Sequence, residues 1–377
     1  MTQSDSPQFN LALVGASTLK GKEVKALLQE RGFPVGRLAL LDAAEAHGQL
    51  TEFDEEPVVI QPVGKDSFRD MSFALFASSA SFTDAHWQMA EESGCEVIDL
   101  SFSLETHPRA QLRAPLVESL YDGQRTRREL AGPNSKSLFV SAHPVAMAIA
   151  GVLGCLARDF QVTRCVVTVL ESVSEHGKAG IEELSRQTIS LLSFQEIPKD
   201  IFGAQVAFNL LSNFGGERHA DLLESQTRIG RHVRTLLDAD LLGGRAVQPA
   251  VRLLQAPIFY GHAFSCFVEL DAAASTTRIE EALHRKPFRV TSEAHHSGQD
   301  HLDPDQPHDR PDDQPDDQPD MVNVAGSNEI FLGAVERDPA VPSGYWIWGT
   351  LDNVRLAALN AVEIAEEKVF AAASRAG

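Results

Sequence analysis

The sequence predicts an α/β protein in which a doubly wound parallel sheet is followed by an α+β domain. Two observations carry this. Up to about residue 140, apolar strand-length runs alternate with helical patterns, and such alternation gives parallel strands joined by right-handed crossovers. From about 142, longer helical stretches are interspersed with strong strand runs, which suits a mixed or antiparallel sheet.

In chain order, the polar residues 1–8 are expected to be disordered. Residues 9–141 form the first domain, with apolar strand runs at 11–14, 38–41, 58–60, 73–77 and 97–100 and helical patterns at 22–31 and 86–93. A sheet of this kind places its ligand site at the carboxyl ends of the strands, beside the first turn. Residues 142–352 form the second domain, with helices predicted at 146–157, 180–192 and 222–237 and strands at 163–171, 251–258 and 265–270. A last segment, 353–377, reads as a helix. Within the second domain, about 295–321 is a low-complexity run of Asp, Pro, Gln and His, with nine Asp and one Arg between Asp300 and Asp320. That composition cannot offset the entropy of ordering, so a disordered acidic insertion is predicted. Its histidines, with His295, His296, His301 and His308, lack the preformed geometry that metal affinity needs, and no metal site is expected.

A chain of 377 residues with 43% apolar content can bury two cores. No run approaches the roughly 20 apolar residues of a membrane helix, and the polar start is not a signal peptide, so a cytoplasmic protein is expected. The net charge of −20 argues against nucleic acid and anionic membrane partners. Cys95, Cys155, Cys165 and Cys266 are scattered in apolar contexts without metal-like spacing, which reads as buried free thiols in a reducing compartment.

Five blocks carry a resemblance. They are Phe9-Asn-Leu-Ala-Leu-Val-Gly-Ala-Ser-Thr-Leu-Lys-Gly, Leu138-Phe-Val-Ser-Ala-His-Pro-Val-Ala-Met, Phe208-Asn-Leu-Leu, Ala256-Pro-Ile-Phe-Tyr-Gly-His and Asp352-Asn-Val-Arg-Leu-Ala-Ala-Leu-Asn-Ala. In this order they resemble the aspartate-semialdehyde dehydrogenase family, and the Phe-Tyr-Gly-His wording is most similar to its divergent bacterial USG-1-like paralogues. The resemblance implies a Rossmann-type first domain, a semialdehyde-dehydrogenase-type dimerisation domain, a homodimer, and a last helix that returns to the first domain. It also implies NADP- and phosphate-dependent chemistry through a cysteine nucleophile in an Asn-Pro-Asn-Cys motif.

At each site the resemblance identifies, this chain departs from the motif. Aligning on Pro144 puts His143 on the first Asn and Ala146 on the cysteine, and a methyl group cannot form a thiohemiacetal. The cofactor turn, implied to involve Gly15, Ala16, Thr18, Gly21, Glu45 and Asn353, has Thr18 at its middle glycine position. Glu45 stands where an Arg meets the 2′-phosphate of NADP, so NAD is favoured over NADP; Asp42 and Glu45 read equally well as solvated loop residues. Glu105 replaces a phosphate-binding Arg, with Arg109 able to compensate only if the loop is re-registered. Gln255 replaces the Arg that clamps the substrate carboxylate, Glu171 replaces the active-site Gln, and Glu175 replaces a glycine. His262 alone keeps the family's acid/base identity, and a lone histidine after a strand reads also as structural. The expectation is a binding or assembly protein on an enzyme fold, with NAD(P) or an unknown protein as partner. The alternative is an NAD(H)-dependent oxidoreductase of altered mechanism with His262 as acid/base.

Overall fold

A computed structural model describes residues 8–120, 137–213, 222–237, 247–291 and 319–376, with side chains described to 370. The predicted N-terminal stretch 1–8 lies outside the described residues except for Gln8, and the acidic insertion 295–321 lies outside them except for its last three positions. The chain forms two compact units: Met1–Met147 with His176–Ala179 and Val354–Gly377, and Ala148–Glu175 with Gly180–Asn353.

The first unit runs β1 (Phe9–Val14), α1 (Leu19–Glu30), β2 (Val35–Asp42), β3 (Leu50–Phe53), β4 (Glu56–Val59), β5 (Gln61–Pro62), β6 (Phe73–Phe76), α2 (Ala80–Glu92), β7 (Glu96–Asp99), β8 (Gln111–Arg113), α3 (Pro115–Glu118) and β9 (Leu138–Ser141), then enters α4 (Pro144–Asp159). Its sheet has the order β5-β2-β1-β6-β7-β9-β8, and every pair in it is parallel. The interior strands β6 and β9 are buried on both faces, which explains why they read as unbroken apolar runs rather than alternating ones. The chain leaves β1 toward β2 and returns across it to β6, so the switch point lies between the ends of β1 and β6.

The strand predicted at 58–60 does not belong to this sheet as a unit. Residues 56–59 form β4, paired antiparallel with β3, and only Gln61–Pro62 joins the sheet edge beside β2. Asp54 and Glu55 both have positive φ, 51° and 63°, the backbone of a two-residue hairpin turn whose twist matches its strands. Asp-Glu is an unusual pair there, so the usual Asn-Gly signal is absent.

The second unit holds most of α4, β10 (Val162–Glu171), most of α5 (Gly177–Leu192), α6 (Leu222–Leu236), β11 (Ala250–Gln255), β12 (His262–Leu270), α7 (Thr276–Leu283), β13 (Phe288–Val290), β14 (Ile330–Leu332), β15 (Glu336–Arg337) and β16 (Gly344–Leu351). The main sheet order is β11-β10-β12-β16-β14-β13. It is mixed: β10 pairs parallel with β11 and antiparallel with β12, and β16 pairs antiparallel with β12 and β14. The last helix, Asn353–Ala376, follows β16 directly. Beyond Asn353 it belongs to the first unit, where Arg31 forms a bidentate pair with Glu366.

Candidate functional site

In the first unit, β1 turns into α1 through Gly15-Ala-Ser-Thr. A Cβ on Gly15 (φ +85°) would lie 2.6 Å from the Ser78 amide nitrogen, and one on Gly21 would lie 2.1 Å from the Gly15 carbonyl oxygen. Both glycines are therefore required for the turn to close, before any ligand is considered. Thr18 is the N-cap of α1: its Oγ1 accepts from the Gly21 N–H at 2.9 Å, and its proton lies between the carbonyls of Gly15 (2.8 Å) and Ala77 (3.0 Å). The β-branched residue thus completes the turn instead of narrowing it. Asp42, at the end of β2, is buried, and its carboxylate accepts from the Ser17 and Ala43 N–H groups, each at 2.8 Å. That corrects the reading of Asp42 and Glu45 as solvated loop residues, because only Glu45 is exposed. The first-turn amides of Leu19 and Lys20 have no carbonyl within the helix to meet, so the α1 terminus keeps the positive end an anion would face.

Further along the same sheet, β7 ends at Asp99. Its buried carboxyl accepts from the Ser101 N–H (2.7 Å), the Ser101 hydroxyl (2.6 Å) and the Leu104 N–H (2.8 Å). Burial pushes the Asp99 pKa up from its ordinary value, against these hydrogen bonds and the charge of Lys20. The loop so tied holds Phe102 at φ +67°, left-handed backbone that a bulky side chain rarely adopts. Its ring stacks on His143 with centroids 5.7 Å apart and planes at 28°, and the Lys20 ammonium lies 5.1 Å from the Phe102 centroid.

His143 closes the turn between β9 and α4, its Nδ1 accepting from the Val145 N–H at 3.2 Å. Pro144 is the first residue of α4 and Ala146 the third, and Ala146 is fully buried. A fully buried alanine methyl in a first helical turn, three residues after His143, therefore occupies the predicted nucleophile position. Glu105 is half-buried. Arg109 does not stand in for the missing arginine, because it forms a bidentate pair with Glu91 at 2.6 and 2.9 Å and lies over the Trp87 ring.

In the second unit, one face of the sheet ends in a polar row. Along β10, Cys165, Val167, Val169 and Glu171 are buried on alternate positions, as side chains sharing one face are. Glu171 pairs with Gln255 of β11, and His262 is one residue beyond Ala263, the partner of Leu170. Gln255, Glu171 and His262 therefore lie side by side on adjacent strands, one rung past Leu253, Val169 and Phe264, and all are buried. A Glu171 carboxylate oxygen lies within 4.8 Å of a His262 ring nitrogen. The Gln255 Nε2 donates to the backbone carbonyls of Glu171 (2.9 Å) and Ala256 (3.0 Å). Two carbonyl acceptors fix which way the amide faces, leaving the Gln255 Oε1 with no donor among the described residues.

His262 belongs to a cluster of polar groups. Its Nδ1 accepts from the Ser172 N–H at 3.1 Å. A peptide N–H can only donate, so the neutral ring carries its proton on Nε2, which stands 3.4 Å from the Glu175 Oε2. Ser172 and Ser174 hydroxyls meet at 2.7 Å, Ser174 donates to the Asn353 Oδ1 at 2.9 Å, and the Asn353 Nδ2 donates to the Glu175 Oε2 at 3.1 Å. Glu175 thus stands on the Nε2 side of His262, opposite Ser172.

The residues singled out in the sequence divide between the two units. Gly15, Ala16, Thr18, Gly21, Glu45, Glu105 and Ala146 are in the first, and Glu171, Gln255, His262 and Asn353 are in the second. Asn353, expected among the cofactor residues, joins Ser174 and Glu175. Sequence reasoning did not assign a role to Ser172, Ser174 or Phe102. The Ser-Val-Ser spacing directly after a strand end is the one local signal for the first two, since it can turn two hydroxyls back toward that strand.

Residues 153–356 match the family model described as semialdehyde dehydrogenase, dimerisation domain, and residues 10–121 match that described as semialdehyde dehydrogenase, NAD binding domain. The chain belongs to the semialdehyde dehydrogenase family. Within this family it is 33% identical over 366 residues to a USG-1 protein homolog of Pseudomonas aeruginosa, which spans 96% of this chain and 98% of that protein. It is 26% identical over 363 residues to the aspartate-semialdehyde dehydrogenase of Rickettsia conorii, with the same coverage. Among solved structures of semialdehyde dehydrogenases, a probable aspartate-semialdehyde dehydrogenase from Pseudomonas aeruginosa superposes with a TM-score of 0.79 at 30% identity, covering 96% of this chain and 98% of that one. Aspartate semialdehyde dehydrogenase II from Vibrio cholerae, complexed with ASA, gives 0.78 at 26% identity, covering 97% and 99%. A parallel NAD-binding-type sheet with a mixed-sheet dimerisation domain is therefore the family architecture, as the sequence predicted. No helix among the described residues is long and apolar enough to cross a membrane.

Proposed function

We propose that this semialdehyde dehydrogenase family member does not carry out a thiol-dependent semialdehyde oxidoreduction and serves as a dimeric, cytoplasmic binding or assembly protein. The observation that carries this is Ala146, buried in the first turn of α4 three residues after His143, which stacks on Phe102. Covalent acyl chemistry needs a nucleophile there, and a methyl group supplies none. Glu45, Glu105 and Gln255, at positions where the family resemblance implies arginine, support the same reading, since none offers a positive charge to an anion.

A nucleotide fits the first unit in outline. The α1 terminus presents first-turn amides, with Lys20 in that turn, and the exposed Glu45, three residues past the end of β2, favours ribose hydroxyls over a 2′-phosphate. NAD is accordingly the preferred dinucleotide. For the dimer, the outer face of the second sheet supplies an apolar rung: Val166 pairs with Phe267 and Phe267 with Trp346, and Val166, Trp346 and Trp348 are each about 40% exposed. Such a patch suits a protein contact.

An NAD(H)-dependent oxidoreductase using His262 as acid/base has less support. The His262 Nδ1 lone pair is engaged by the Ser172 N–H and Nε2 carries the proton, so the neutral ring has no open lone pair for general-base work. Purified protein assayed with aspartate semialdehyde, phosphate and NADP or NAD is expected to show no turnover above background. Turnover that disappears in His262→Ala overturns the proposal.

A further inference from the structure

The two halves of the first sheet's carboxyl end are built differently. A doubly wound sheet has a mononucleotide-binding half on either side of its switch point, and a dinucleotide lies across both. On the side of β1 and β2, the first-turn amides of α1 have no helical carbonyl to meet, and Glu45 is exposed. On the side of β6, β7 and β9, the loops are closed against one another. After β6, the Ala77 carbonyl accepts from the Thr18 hydroxyl at 3.0 Å. After β7, Asp99 holds the amides of Ser101 and Leu104, and Phe102 between them is set at φ +67°. The Phe102 ring is buried and stacks at 5.7 Å on His143, which follows β9 and is buried in turn. The Lys20 ammonium, from the first turn of α1, lies 5.1 Å from the same ring. Lys20, Phe102 and His143 all belong to the first unit, and together they form a contiguous row from the start of α1 to the end of β9.

We propose that the first unit binds a nucleotide through its nucleoside diphosphate end alone, and that Phe102 and His143 occupy the place of the nicotinamide half of NAD. An aromatic ring seated between Phe102 and His143 would need their centroids about 9 Å apart, two contacts of at least about 4.5 Å each. The stack leaves 5.7 Å. Displacing Phe102 instead would return a buried phenyl ring to water and pull on a loop tied at Ser101 and Leu104. The inference rests on the reading of the first unit as a nucleotide site. It narrows the ligand class to a nucleoside diphosphate, or to a molecule that carries one as an end group.

The experiment titrates the full chain with ADP-ribose, NADH and nicotinamide mononucleotide and follows binding by calorimetry and by thermal stabilisation. ADP-ribose is NADH without its nicotinamide base, so the ratio of their affinities reads what that base contributes. NADH and ADP-ribose are expected to bind within about twofold of each other, with no saturable response to nicotinamide mononucleotide. Phe102→Gly suits the positive φ and vacates the ring. In that variant NADH is expected to bind about tenfold more tightly than ADP-ribose, the worth of one buried aromatic contact. A folded Phe102→Gly that keeps the parent's ratio overturns the role given to Phe102. The ratio in the unaltered chain decides the matter where the variant does not fold. A tenfold preference for NADH in that chain, or saturable binding of nicotinamide mononucleotide, overturns this inference and leaves the nucleotide reading standing. Binding of neither ADP-ribose nor NADH overturns the nucleotide reading, and the inference with it.

Discussion

Replacing Ala146 with cysteine supplies the atom that thiohemiacetal chemistry requires, and it is expected not to bring the reaction with it. Two opposing effects act at this position. The first turn of a helix stabilises a thiolate, whereas Ala146 is fully buried, and burial destabilises one. The native thiols calibrate the second effect. Burial pushes Cys95 and Cys155, the latter on the same helix, each up to about 11. A thiol at that value is ionised to about one part in a thousand at pH 8, and a helix terminus worth about one unit raises this only to about one in a hundred. Relative to a half-ionised nucleophile, the deficit is therefore about fifty- to five-hundredfold before access is counted. The assay is alkylation by iodoacetamide in the native protein across pH 6–10, read site by site by mass, with Cys95, Cys155, Cys165 and Cys266 as internal references. Alkylation of Ala146→Cys at pH 8 is expected to be within about tenfold of those buried thiols, and semialdehyde turnover is expected to stay at background. Rapid modification with a midpoint below pH 8, or recovered turnover, would show that burial does not control this turn.

Four other outcomes follow from the same structure. Thr18→Val keeps the shape of the side chain but removes the cap on α1, leaving the Gly21 N–H without its acceptor; a loss of about 1–2 kcal/mol is expected from the urea midpoint. Arg113 is buried against Glu118 and Glu367 at 2.8 and 2.6 Å, so Arg113→Met should cost about 3–5 kcal/mol by leaving carboxylates uncompensated, and a change under 1 kcal/mol would contradict that. Glu363 is pushed up to about 7, chiefly by burial. The native chain then holds a proton that the unfolded one releases near the ordinary value of 4.5, so stability should fall by about 2–3 kcal/mol as pH rises from about 4.5 to about 7. Denaturation of Glu363→Gln across that window should show a flatter profile. If the proposed dimer forms through the outer face of the second sheet, Trp346→Glu with Trp348→Glu should give a monomer by light scattering where the parent chain gives a dimer, and a dimeric mass for the variant would move the interface elsewhere.

The parallel sheet was legible because β6 and β9 are buried on both faces and so appear as short unbroken apolar runs, with helical patterns marking the crossovers. The hairpin of β3 and β4 was not, because its turn depends on Asp54 and Glu55 adopting positive φ, which their identity does not advertise. At the candidate site, residue identities were readable wherever a family block anchored them, as for Ala146, Gln255 and His262. Their relations were not. That Gln255, Glu171 and His262 share one rung follows from strand register, which sequence specifies only through long-range packing. The protonated nitrogen of His262 is decided by a backbone amide, that of Ser172, and a peptide N–H is the same in every sequence. Asp42 was misread because a charged residue at a strand end looks solvated until the two amides that hold it are seen.

On the proposed reading, the two units depart from semialdehyde chemistry independently, and this bears on how a test by reversal must be built. In the first unit the departure is steric as much as chemical: Phe102 is held in left-handed backbone by Asp99 and packs on His143, so supplying a thiol changes the atom but leaves the packed turn around it. In the second, the departure is electrostatic: Gln255 offers no positive charge to a carboxylate, and Gln255→Arg would bring one beside Glu171, which can neutralise it before any ligand does. Neither change compensates for the other, because one concerns a nucleophile and the other the charge that holds its substrate. A variant combining Ala146→Cys, Gln255→Arg and Glu171→Gln, the last to free the arginine for a ligand, supplies the thiol and the charge but leaves the packed turn in place. Turnover at background in the triple variant as in the single ones is the expected result; turnover in the triple variant alone would mean that charge and not burial of the thiol was the barrier, and turnover from Ala146→Cys alone would mean that the acidic row never opposed the substrate.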